Sequence, residues 1–299
     1  MKKIHASNLL LLVIMILQFA VSQMIVLLDI PMSVPMALLW SQLILLLPFV
    51  GWCIVTRKNP LKEIRFKKAK PIAIFFAIMI AFISYPVVIF LNMISMLFVD
   101  NAVADILPTV MDMGLLPGLF FMAFLPAVIE ETIFRGMLYN TYSKYRPCAG
   151  MILSAVLFGL MHMNFNQMPY AIYLGFVMAL TMELCDSILP AMVIHFTMNG
   201  SSCIMAFFSQ GLLEATGEVQ AADINEVISV GMVLAFALIA VMALGIILVM
   251  FYALAGIHGK KLQDVLRNRE TDKKVRLLDL CLILFMIYTL YKCVVGAIG

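Results

Sequence analysis

Long apolar runs, broken by short polar loops, fill the whole chain. The runs fall at roughly 8–29, 36–56, 71–98, 114–138, 148–163, 169–185, 189–208, 227–256 and 277–296. A bilayer core about 30 Å thick needs about 20 consecutive apolar residues per helix, and most of these runs reach that length. A membrane β-barrel would show alternating strands of about ten residues instead. The pattern predicts an all-α, polytopic transmembrane helix bundle of about eight to nine spanning helices. The fifth run ends close to the polar stretch "NFNQMP" and reads as short or re-entrant. The first run begins like a secretory signal, but it is too long for an apolar signal core and reads as a retained helix.

Composition agrees with this pattern. Of 299 residues, 64% are hydrophobic and 12% charged, with mean hydropathy +1.06. A soluble domain is about half apolar and about a quarter charged. The six cysteines are scattered and suggest neither a disulfide framework nor a zinc knuckle. A net charge of +3 points to no nucleic-acid partner. The placement of charge is more informative. The loops 57–70, 141–150 and 257–276 are basic, whereas 99–114 and 211–226 hold acids without Lys or Arg. The positive-inside rule then predicts a multi-pass plasma-membrane protein with a cytoplasmic N-terminus and an extracellular C-terminus.

Some charges remain inside the apolar runs. Each costs about 2.5–3.5 kcal/mol at the centre of a spanning helix, so such residues are functional candidates. "PAVIEETIFRGML" carries Glu130, Glu131 and Arg135, and two later runs carry His162 and His195. His5 and His258 lie in polar segments and read as solvated. Glu131 and Arg135, Phe158 and His162, and His195 and Asn199 are each four apart, so each pair shares a helix face. Glu130 lies sixteen residues before Arg146 and His162 sixteen after it. Both then stand about 24 Å above the turn of that helical hairpin. Taken singly, each residue has a structural reading: an ion-pair lock, a hydrogen bond between helices, or packing for Phe158. Glu183 and Asp186, near a helix end, read as interfacial.

In order, "EETIFR", "FGLMH" and "HFTMN" resemble the three motifs of the CAAX-protease and bacteriocin-processing (CPBP, or Abi) family of intramembrane proteases. The resemblance covers about 114–208. It divides the chain into N-terminal helices (1–113), a catalytic core (114–208) and C-terminal helices (209–299). It implies an intramembrane endopeptidase acting on a membrane-associated, lipidated or secreted peptide, with the bilayer and that peptide as partners. By the same resemblance Glu130 is the base that activates water, and His162 helps hold that water. His195 and Asn199 stabilise the oxyanion, with Glu131, Arg135 and Phe158 in support. Metal-free catalysis is the favoured reading. The alternative is zinc on Glu130, His162 and His195, although the chain has no His-Glu-x-x-His helix. Rival functions are a non-catalytic, immunity-type member that binds a membrane partner, and an ion or proton transporter.

Overall fold

The computed structural model describes residues 2–101, 109–110, 112–216, 230–267 and 276–298. Parts of the two acidic loops, and residues 268–275, lie outside the described residues. Among the described residues, nine helices of fifteen or more residues follow one another. They are α1 (Lys2–Leu27), α2 (Val34–Val55), α3 (Pro71–Met96), α4 (Leu115–Tyr142), α5 (Pro147–Met161), α6 (Met168–Cys185), α7 (Leu189–Thr216), α8 (Val230–Ile257) and α9 (Leu280–Ile298). Eight are long and apolar enough to cross a membrane. The exception is α5. Its 15 residues span about 22 Å at about 1.5 Å per residue, short of the ~30 Å bilayer core.

Helix α1 begins at Lys2 rather than near residue 8. Its polar first turns are stabilised by partners. Ser7 meets Thr141 at 3.1 Å, and the buried Asn8 donates to Leu277 O at 2.9 Å. Asn8 Oδ1 accepts from Tyr142 Oη at 2.6 Å. The starts of α1 and α9 and the end of α4 therefore meet at one end of the bundle.

The basic loop 57–70 closes the same end. Arg65 Nε donates to Asn140 at 2.6 Å, Nη1 to Glu183 at 2.7 Å and Nη2 to Ser143 at 2.7 Å. Its carbonyl accepts from Ile188 N at 3.2 Å. Lys67 pairs with Asp186 at 2.5 Å, and Lys70 and Lys260 donate to the carbonyls of Ile257 and Glu183. Glu183 and Asp186 are thus ion-paired at a helix end. Burial alone would push the Asp186 carboxyl up, but the Lys67 hydrogen bond and the charges of Lys67 and Arg65 hold it below its usual range.

Apolar burial drives little helix association inside lipid, so close packing of small residues matters more. Helices α5 and α6 pack closely through small residues. Gly159 on α5 faces Met168 and Ile172 on α6, and Gly175 on α6 faces Ala155 on α5. A Cβ at Gly159 would lie 2.4 Å from Ile172 Cγ1 and 2.9 Å from Met168 O. One at Gly175 would lie 2.9 Å from Arg135 Nη2 and 3.0 Å from Ala155 Cα. The remaining helices pack around this pair in one continuous core that runs from Ile4 to Phe285.

Helix α4 is irregular. It is π-helical over Phe120–Phe124 and again over Thr132–Tyr139, where every residue is buried. Pro126 lies between these stretches. A proline supplies no N–H to the carbonyl four residues back, here Met122. Wide turns of this kind are rare and concentrate at functional sites.

Candidate active site

Glu130 and Glu131 end the regular turn between the two π-helical stretches of α4. Neighbours on one helix, they face different surroundings. Glu131 is fully buried beside the fully buried Arg135, whose Nη1 is 3.1 Å from Glu131 Oε1. That contact is an ion pair without hydrogen-bond alignment, since Nε, Nη1 and Nη2 of Arg135 have no hydrogen-bond partner among the described residues. The guanidinium instead lies over the Phe158 ring, 4.3 Å from its centroid, a favourable position for a desolvated cation.

Phe158 also packs edge-on against the rings of His162 at 5.0 Å, His195 at 5.8 Å and Phe134 at 5.2 Å. It is the buried platform on which the other side chains are arrayed.

The two imidazoles are oriented by the groups at their Nδ1 atoms. His162 caps the end of α5, and its Nδ1 lies 2.9 Å from Phe158 O. A carbonyl only accepts, so Nδ1 carries the proton and Nε2 is left as an acceptor. His195 Nδ1 lies 2.9 Å from Glu131 Oε1, and its Nε2 lies 3.9 Å from Glu130 Oε2. Glu131 therefore holds Arg135 and His195 together. Spacing within the sequence revealed the first partner. The second comes from α7, more than sixty residues away, and no local pattern encodes it.

Asn199 stands one turn beyond His195. Its Nδ2 donates to Met122 O at 3.0 Å. Pro126 cannot donate to this carbonyl as the residue four further along a regular helix would, so the acceptor that anchors Asn199 lies at the irregular part of α4. The second Nδ2–H is not used by that bond.

Glu130, Phe158, His162, His195 and Asn199 line one cavity of about 820 Å³. Its remaining wall is mostly apolar, with Val88, Met93, Leu174 and Met198 among the contributors. Glu130 and His162 thus line one cavity together. One polar residue reaches this cavity from outside residues 114–208. Gln42 on α2 is 8% exposed, and its Nε2 donates to Glu130 Oε1 at 3.0 Å. A lone amide in the apolar run "SQLILLLPF" was the available signal. It carries no charge and matches no motif, so sequence reasoning passed over it.

Among the described residues, the one group of three or more His, Cys, Asp or Glu whose ligand atoms lie within 4.8 Å of one another is His5, Asp279 and Cys281. Glu130, His162 and His195 form no such group; Glu131 binds Nδ1 of His195, which leaves Nε2 on the side of Glu130.

Residues 112–201 match the family model described as Type II CAAX prenyl endopeptidase Rce1-like. No curated protein and no solved structure matches the chain.

Proposed function

From the match of residues 112–201 to that family model, we propose that the protein is an intramembrane endopeptidase of the CAAX-protease (CPBP) family in which Glu130 activates water. The observation that carries this reading is the convergence of Glu130, His162, His195 and Asn199 on one largely apolar cavity. Its volume suits a segment of peptide together with an acyl, prenyl or other apolar group. The substrate class is therefore a membrane-associated or lipidated peptide.

In the proposed reaction the Glu130 carboxylate takes a proton from water, and the hydroxide oxygen attacks the scissile carbonyl carbon. His162, with its proton at Nδ1, accepts the second water hydrogen at Nε2 and fixes the oxygen's direction. The carbonyl oxygen becomes an oxyanion. It accepts from the free Nδ2–H of Asn199 and from Nε2–H of a protonated His195, which Glu131 holds through Nδ1. Collapse breaks the C–N bond, and the protonated Glu130 returns its proton to the leaving amine. Arg135 keeps Glu131 in place. No metal takes part. Donors arranged in advance around a developing oxyanion supply a large part of such catalysis.

We further propose that the end bearing the 57–70 loop faces the cytoplasm of a plasma membrane. The test uses purified protein in lipid nanodiscs and two quenched fluorogenic peptides, one farnesylated near its C-terminus and one an unmodified apolar helix. Cleavage of either by wild type, and its loss in Glu130→Gln, is the expected result. An unchanged rate in Glu130→Gln refutes the mechanism. Proton flux without cleavage would identify a transporter instead.

A further inference from the structure

A second cavity, of about 170 Å³, lies against the first. The two share a wall made by Gln42, Glu130, Phe158 and His162. Beyond that wall they differ. His195 and Asn199 line only the larger cavity, whereas Gln18, Ser41 and Met161 line only the smaller. The smaller one is formed in part by α1 and α2, outside the family match. It has room for several waters at about 30 Å³ each. Its polar lining offers those waters the partners they need, which an apolar void of this size lacks.

Gln42 stands at the junction. Its Nε2–H binds Glu130 Oε1 at 3.0 Å, while its own Oε1 is buried without a hydrogen-bond partner among the described residues. Leaving a buried amide oxygen unsatisfied is costly, and a bound water removes that cost. The bond also restrains the carboxylate, leaving Oε2 on the side of His195.

We propose that the smaller cavity is a water chamber. In this assignment it delivers the hydrolytic water to Glu130 and His162 from the side away from the substrate, and Gln42 is the residue that positions Glu130 between the two. The inference rests on the protease reading. Its consequence is a division of labour. The apolar cavity can be filled by lipid or substrate and remain nearly dry, while water reaches the base through Gln18, Ser41 and Gln42. The substrate then need not admit water past itself.

The test is radiolytic hydroxyl-radical labelling of the full chain in nanodiscs, read by mass spectrometry, alongside cleavage of the farnesylated reporter peptide. Met161 lines the chamber, and Met151, fully buried away from both cavities, is the internal control. Wild type is expected to oxidise at Met161 several-fold more than at Met151. Ser41→Leu, which fills the chamber, should lower Met161 labelling and kcat together and leave KM unchanged. Gln42→Met keeps the side-chain length and removes the amide. It should lower kcat about ten- to hundredfold, the effect of losing one hydrogen bond to a charged group, with KM and melting temperature unchanged. Equal labelling of Met161 and Met151 in a wild type that cleaves the peptide overturns the water chamber and leaves the protease reading standing. So does a Ser41→Leu variant that loses labelling but keeps its kcat. A fall in melting temperature without a separate fall in kcat would make Gln42 purely structural and overturn its positioning role. A wild type that cleaves neither peptide refutes the protease reading, and the delivery of hydrolytic water falls with it.

Discussion

At the scale of single residues, the site is a set of orientations imposed by neighbours. Glu131 restrains His195, Phe158 O restrains His162, Gln42 restrains Glu130, and Met122 O restrains Asn199. On the proposed mechanism, Glu130→Gln lowers kcat by about 10²–10⁴, the usual contribution of a positioned base, when peptide release is followed by fluorescence. Asn199→Ala removes one oxyanion donor and lowers kcat by about 10²–10³. It also removes the bond to Met122 O, so a small loss of thermal stability accompanies it. Arg135→Met differs in kind. The Glu131 carboxylate would be left fully buried with His195 as its remaining partner, and breaking a buried pair costs about 3–5 kcal/mol. That variant is expected to show as a lowered melting temperature in detergent before any kinetic effect is measured.

At the scale of elements, two features set the geometry. One is the close approach of α5 and α6. Gly159→Ala forces a methyl against the Met168 carbonyl, and overpacking of this kind typically costs about 1–3 kcal/mol. The expected readout is a lower melting temperature, together with reduced activity because His162 ends the displaced helix. The other is the Arg65 clamp, which joins α4, α6 and the loop 57–70. Arg65→Ala leaves Glu183 and Asn140 without their donor. It is expected to destabilise by about 2 kcal/mol, between the values for exposed and buried pairs. The neighbouring Asp186 titrates lower in the fold than in the unfolded chain. Its contribution is therefore complete above the unfolded value of about 3.9 and fades as pH falls below it towards the folded value. Thermal melts at pH 3 and pH 7 should differ less in Asp186→Asn than in wild type.

At the scale of the whole molecule, the nine described helices bring the start of α1, the loop 57–70, the ends of α4 and α6, and the start of α9 to one end. The alternation of basic and acidic loops implied that arrangement, and the contacts of Arg65, Lys70 and Lys260 draw three of the segments together. Single cysteines placed in the 57–70 loop of a chain stripped of its native cysteines should react with a membrane-impermeant maleimide only after spheroplasts are opened. Labelling in intact spheroplasts would reverse the proposed orientation. Because the site is proposed to work without metal, a strong chelator should leave peptide cleavage unchanged. Loss of cleavage that zinc restores would bring the metal reading back.

Apolar run length by itself determined the fold class and, within a few residues, most of the helices, because burial in lipid demands continuous hydrophobicity. Intramembrane charge picked out Glu130, Glu131, Arg135, His162 and His195, because such groups are too costly in lipid to occur without partners. The spacing of four found the Glu131–Arg135 pair, since a helix repeats its faces locally. Tertiary structure alone decided the rest. Glu131 reaches His195 on α7. This is a contact between distant segments, made by packing angles that no periodicity records. An uncharged amide among leucines becomes conspicuous only when the carboxylate it holds is seen beside it.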